Sequence, residues 1–207
     1  MSWIHRDPVL DKETTDEIDR AEDRAAAVLA GAYFEDRLTI VIKARLLDDA
    51  SVANPLFTGY GPLGTFSAKI DMAYLLRVFD SYARSSLHVI RRIRNTFAHG
   101  LSPLTFDSPP IKAKCEALFR VPELTLVANT LETDEAYRWI AEIVPLFLTP
   151  LTQAPDTPRN AYMNTLRYLL ALIELNQHVI RYRNASPEWK GIPSPPCPSG
   201  SQSSGHT

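Results

Sequence analysis

At 207 residues, 45% hydrophobic and 22% charged, the chain has the composition of one soluble globular domain, which excludes a fibrous or largely disordered protein. A formal net charge of -2 excludes a protein that coats nucleic acid by bulk charge, while leaving room for a local basic strip. No run reaches the roughly 18 apolar residues of a membrane span, and Met1 to Val9 lacks the basic-then-apolar pattern of a secretory signal, so a cytoplasmic protein is expected.

The two cysteines, Cys115 and Cys197, form neither a CxxC pair nor a Cys/His cluster, so no disulfide scaffold, metal site or cofactor is expected. Apolar residues return at three- and four-residue intervals almost throughout, which predicts an all-α fold, a single helical bundle of about six helices. Residues 1–12 read as a flexible N-terminus and 13–184 as the helical domain. Residues 185–207, with Pro193, Pro195, Pro196 and Pro198 crowded together, read as a disordered tail, because they offer too little apolar surface to offset the entropy of ordering.

In chain order, a first long helix is predicted from Thr15 to Leu47, with a buried stripe at Ala25, Leu29, Ala32, Phe34, Leu38, Val41 and Ile42 and a bend at Gly31. A loop follows over Asn54 to Gly64. The next helix takes Thr65 or Ser67 as its cap and buries Phe66, Ile70, Ala73 and Tyr74. A third runs from near Ser81 to Gly100, a residue suited to the left-handed position just past a helix end. Ser108 with Pro109 combines a cap and a first-turn proline, and opens a short helix through Ile111, Cys115, Leu118 and Phe119. Leu124 to Val127, within Val121 to Leu131, reads as a short strand or as extended chain. Thr133 opens a helix kinked or cut at Pro145, and Thr157 with Pro158 opens a last one through Tyr162, Leu166, Leu169, Leu170 and Ile173.

Gly59-Tyr60-Gly61-Pro62-Leu63-Gly64 fits G-x-G-x-x-G, but a dinucleotide site needs a strand before the glycines and an acidic residue on the next strand, and neither is predicted. Gly61, Pro62, Gly64 and Thr65 are therefore read as structural, a turn that packs closely against neighbouring helices. The amides at the following helix start leave phosphate binding there as an alternative.

The third helix carries the chemistry. At 100° per residue, Arg84, His88, Arg91, Asn95 and His99 share a narrow polar stripe, Ile90, Ile93 and Phe97 face the core, and Arg94 lies at the border. Guanidiniums offer bidentate donors to phosphate oxygens, and a histidine moves a proton near neutral pH. With Arg92 beside the stripe, Arg84, His88, Arg91 and Arg92 are the candidate binding residues, and RNA is one ligand that such a surface would take. A cap is the plainer account of the end of the stripe, with His99 bonding terminal carbonyls and Asn95 tying down a loop. Asp23, Arg24 and Glu35 on the first helix are read as ion-pair partners rather than as helpers of a catalytic group. Asp48 and Asp49 look like solvated surface. No helix-turn-helix signature stands out.

Through Leu56-Phe57-Thr58-Gly59-Tyr60-Gly61-Pro62-Leu63-Gly64-Thr65-Phe66-Ser67-Ala68-Lys69-Ile70, Arg94-Asn95-Thr96-Phe97-Ala98-His99 and Phe106-Asp107-Ser108-Pro109-Pro110-Ile111, the sequence resembles the mannitol operon repressor family over roughly Ala21 to Arg120. The resemblance implies an all-α transcriptional regulator that lacks an obvious DNA-reading element and works through a protein partner, and a homodimer is expected. The Arg94-Asn95-x-x-x-His99 segment is also similar to the signature of HEPN domains, helical bundles that dimerise. In that second resemblance, the active members are metal-independent endoribonucleases of the toxin or defence kind. His99 would then assist proton transfer, Arg94 would stabilise charge on the phosphate, and Asn95 would orient one or the other. Sensing of a phosphorylated small molecule at the stripe is a third reading.

Overall fold

The computed structural model describes residues 8–118 and 155–185, and within them the regular structure is helical throughout. Seven helices are described: α1 (Pro8–Arg20), α2 (Asp23–Lys43), α3 (Ala50–Phe57), α4 (Phe66–Leu75), α5 (Ser81–His99), α6 (Pro109–Glu116) and α7 (Pro158–Ala185). The all-α expectation is met. The expected strand or extended piece at 124–127, the Thr133 helix with its break at Pro145, and the tail all lie outside the described residues.

α2 is the centre of the bundle and packs against α1, α4, α5 and α7. A helix with neighbours on several sides cannot be read from one stripe. Phe34, Leu38, Val41 and Ile42 are buried as expected, but in its first half Ala26, Ala27, Ala30 and Gly31 are inside, whereas Ala25 and Ala32 are exposed and Leu29 is half-buried. The single first helix of the sequence reading is also two helices, broken at Ala21 and Glu22, where Glu22 turns extended (φ -59°, ψ 153°). Nothing in the local sequence compels that break. It is held from far along the chain: the Arg159 guanidinium donates to the α1-terminal carbonyls of Asp19 (3.1 Å) and Ala21 (2.7 Å) and pairs with Asp23 Oδ1 at 2.5 Å. Asp23 Oδ2 also accepts from Phe106 N at 2.8 Å, so this one carboxylate ties the α2 start to both α7 and the α5–α6 connection.

The expected loop over Asn54 to Gly64 begins with a helix instead. Asp49, read as solvated surface, is its cap and accepts from Ser51 N at 3.0 Å and Val52 N at 3.4 Å. Pro55 lies inside α3, where it forfeits an amide donor, and burial of Ala53 and Phe57 offsets that loss. Thr65 caps α4 through Ala68 N at 3.2 Å. Phe66, Ile70 and Ala73 are buried, while Tyr74 is exposed and lies under the Arg84 guanidinium, 5.5 Å from its ring centroid. α4 ends in a paired-bond cap, Val78 N to Ala73 O at 3.0 Å and Arg77 N to Tyr74 O at 2.9 Å, with Arg77 left-handed at φ 57°.

α5 starts from an Asp80 cap on Ala83 N at 2.8 Å and buries Ile90, Ile93 and Phe97 as the periodicity predicts. Gly100 is not left-handed: its φ is -68° and the chain leaves the helix extended. Its missing side chain serves close packing, since a Cβ there would stand 2.6 Å from Leu104 Cδ1 and 2.9 Å from Thr96 O. Ser108 precedes the first-turn Pro109 of α6, but its hydroxyl accepts from Thr105 N at 3.0 Å instead of from a helix amide. α7 is capped by Thr157 through Asn160 N at 3.1 Å and buries Tyr162, Leu166, Leu169 and Ile173. Phe106 joins these layers, with ring centroids 5.2 Å from Phe97 and 4.8 Å from Tyr162. Beside them Cys115 is fully buried, and burial pushes its thiol up to about 12.

Candidate functional site

The polar face of α5 is divided into three parts by the residues that pack on it. At its N-terminal end, Arg84 and His88 converge on one carboxylate of α4: Asp71 Oδ1 accepts from Arg84 Nε at 2.7 Å, lies 2.6 Å from Arg84 Nη2 and meets His88 Nε2 at 3.1 Å. Partial burial pushes the Asp71 carboxyl up, but the His88 and Arg84 hydrogen bonds together outweigh it and hold the group below its ordinary value. Two of the candidate binding residues, Arg84 and His88, are thus already engaged with a counter-charge.

Toward the C-terminal end, Arg94 turns inward to α2. Its Nη2 lies 3.7 Å from Glu35 Oε2, and its Nη1 donates to Asn95 Oδ1 at 3.0 Å. The other Glu35 oxygen takes Lys69 Nζ of α4 at 3.1 Å. Glu35 is therefore one carboxylate between two cations from two helices, as the ion-pair expectation for it holds. Gly31 makes the approach possible: a Cβ on it would stand 2.6 Å from Arg94 Cγ. α2 is continuous through it.

Between and beyond these clusters lie Arg91, Arg92 and His99. Arg91 is half-buried, its Nε is enclosed without an acceptor, and Arg92 and His99 are exposed. Arg24 holds the chain just past the end of α5, donating from Nη2 to Gly100 O at 2.9 Å and Ser102 O at 2.8 Å. A cleft of about 570 Å³ opens next to it, lined by Glu22, Asp23, Arg24, Leu101, Pro103, Leu104 and Thr105. None of the stripe residues lines that cleft, so the chemistry-bearing side chains and this cleft are separate features.

The glycine-rich turn sits at the other end of α4. Leu63 N bonds Leu56 O at 2.8 Å, and Gly64 N bonds Gly61 O at 2.9 Å. A Cβ on Gly61 would stand 2.2 Å from Pro55 O, so the turn lies directly against the end of α3. Among the described residues, no group of His, Cys, Asp and Glu could hold a metal ion, and no helix is long and apolar enough to cross a membrane.

Sequence reasoning passed over Lys69 and Asp71, and it had no means of pairing Asp23 with Arg159. Lys69 is buried on a short helix, and a buried lysine signals a partner, but the partner's identity comes only with the fold.

No family model and no curated protein matches the sequence. In fold, the chain is similar to a chain in the X-ray structure of the MtlR–HPr complex from Escherichia coli, with a TM-score of 0.55 and 15% identity, over 80% of this chain and 98% of that one. At that identity the likeness is one of architecture. The fold implied by the resemblance to the mannitol operon repressor family is therefore present.

Proposed function

We propose that this chain is a non-enzymatic transcriptional regulator of the mannitol-repressor type, a cytoplasmic homodimer that acts through a protein partner rather than through a DNA-reading helix of its own. The observation that carries the reading is the fold likeness, which extends over 98% of a chain whose structure was solved in a protein–protein complex. The sequence supports it through the absence of a helix-turn-helix signature. The polar face of α5 supports it too, because two of its four candidate binding residues, Arg84 and His88, are already paired with Asp71, which suits a surface that selects a partner more than one that coats a polyanion.

Titration calorimetry of the purified chain with HPr tests it, with a dissociation constant in the micromolar range or tighter expected. No heat at high micromolar concentrations of both proteins would remove the reading, and light scattering that shows a monomer would remove the dimer. The ribonuclease reading on Arg94, Asn95 and His99 draws less support, because Arg94 is already engaged by Glu35 and Asn95. Incubation of mixed RNA in chelator with the protein and with His99→Ala decides it: cleavage lost in the variant would replace the regulator reading.

A further inference from the structure

Arg91 stands midway along the polar face of α5, between Asp71, already shared by Arg84 and His88, and Glu35, already shared by Lys69 and Arg94. Four buried or half-buried permanent cations, Lys69, Arg84, Arg91 and Arg94, thus share this region with two carboxylates, while the neighbouring Arg92 is exposed. The Arg91 side chain makes no hydrogen bond or ion pair among the described residues, and its Nε is closed off from solvent without an acceptor. The enclosed Nε is beyond a ligand's reach, so an anion would meet the Nη1–Nη2 edge of the guanidinium, which likewise has no acceptor among the described residues.

One turn further on, Asn95 Oδ1 accepts from Arg94 Nη1 at 3.0 Å. That bond orients the amide: its oxygen turns to Arg94, and the two N–H donors of Nδ2 are left over. Side chains at i and i+4 are neighbours on a helix surface, with Cβ atoms about 5–6 Å apart. Two donor groups with no acceptor of their own therefore lie side by side, in a region with two positive charges in surplus.

We propose that Arg91 and the Asn95 amide form a binding site for a phosphomonoester dianion. A dianion matches the surplus, and its terminal oxygens can accept from a guanidinium fork and an amide at once, where a carboxylate would leave a charge over. The site is independent of the protein-partner reading, and either can fail alone.

Calorimetry with the full chain at constant ionic strength tests the site, using inorganic phosphate and glucose 6-phosphate as probes. Saturable binding of one probe molecule per chain is expected. Arg91→Lys, which keeps the charge and loses the fork, should weaken it at least tenfold. Asn95→Asp, nearly isosteric and repulsive to an anion, should abolish it, and Lys112→Ala, which removes an exposed cation on α6, should bind as the wild type does. Tighter binding of the sugar phosphate than of phosphate supports a small-molecule ester as the ligand, and equal binding supports recognition of the phosphoryl group alone. No saturable heat in the wild type overturns the site. So does unchanged affinity in both a folded Arg91→Lys and a folded Asn95→Asp.

Discussion

Gly31 lies beneath the side chain of Arg94, so close that a single added carbon on α2 would stand 2.6 Å from Arg94 Cγ and 3.1 Å from its Cβ. The polar border of α5 is seated on the barest point of α2. Glu35, one turn along, then receives the guanidinium at 3.7 Å. Gly31→Ala brings a better helix former into a helix interior, which alone would stabilise by about 0.5–1 kcal/mol. The overlap reverses the sign, and a net loss of roughly 1–2 kcal/mol in denaturant titration is expected. In an Arg94→Ala background much of the penalty should vanish, a coupling that a double-mutant cycle reads directly. A stabilised Gly31→Ala would mean that the two helices do not meet at this point.

Arg77 is the non-glycine residue with positive φ among those described, at 57°. A left-handed residue with a Cβ costs about 1–2 kcal/mol, part of which glycine returns as lost chain entropy. Arg77→Gly should therefore raise stability by up to about 1 kcal/mol, measured as Tm or denaturant midpoint. Arg77→Ala is the control, since it keeps the strain. A glycine variant no more stable than the alanine variant would dispose of the strain account.

Asp23 holds three segments with one carboxylate. Asp23→Ala leaves Phe106 N and Arg159 Nη1 without the acceptor they have at 2.8 and 2.5 Å. A cost of about 2–3 kcal/mol follows from hydrogen bonds to a charged group. Glu22→Ala, one residue away and exposed, should change stability by less than about 0.5 kcal/mol. Equal effects from the two would show that the Asp23 contacts are incidental.

The Asp71 cluster predicts a pH dependence. Its folded-state carboxyl titrates below the ordinary 3.8, so its contribution is complete at neutral pH and is lost as the pH falls through the folded value. The side chains of Asp71 and Arg84 are 42% and 40% exposed, and screening keeps the contribution below about 1 kcal/mol. Asp71→Asn should be slightly less stable than the wild type at neutral pH, with the gap closing in acid. A gap that persists unchanged in acid would assign the difference to packing.

What the sequence made legible was local. Ile90, Ile93 and Phe97 recur at helical spacing, and all three are buried; Thr65 and Thr157 are caps, as their positions before helical runs suggested. The misreadings arise where a distant residue decides a local outcome. The break after Arg20 depends on Arg159, some 140 residues away, and the stripe on α5 owes its counter-charges to Asp71 and Glu35 on other helices. α3 was hidden by Pro55, a strong breaker signal that the cap at Asp49 and the burial of Phe57 outweigh. The polar face itself could be drawn from spacing alone, but which of its cations were already neutralised could not.

The closure of α6 over the core gives the molecule an internal reporter. Cys115 reacts only as a thiolate, and in the closed bundle it has no exposed surface and almost no thiolate near neutral pH. Alkylation at that position, followed peptide by peptide, then proceeds only as often as the helix lifts away and exposes an ordinary thiol. The labelling rate of one native side chain is thereby a clock for the opening of the bundle, and any partner or ligand that holds α6 down will slow it.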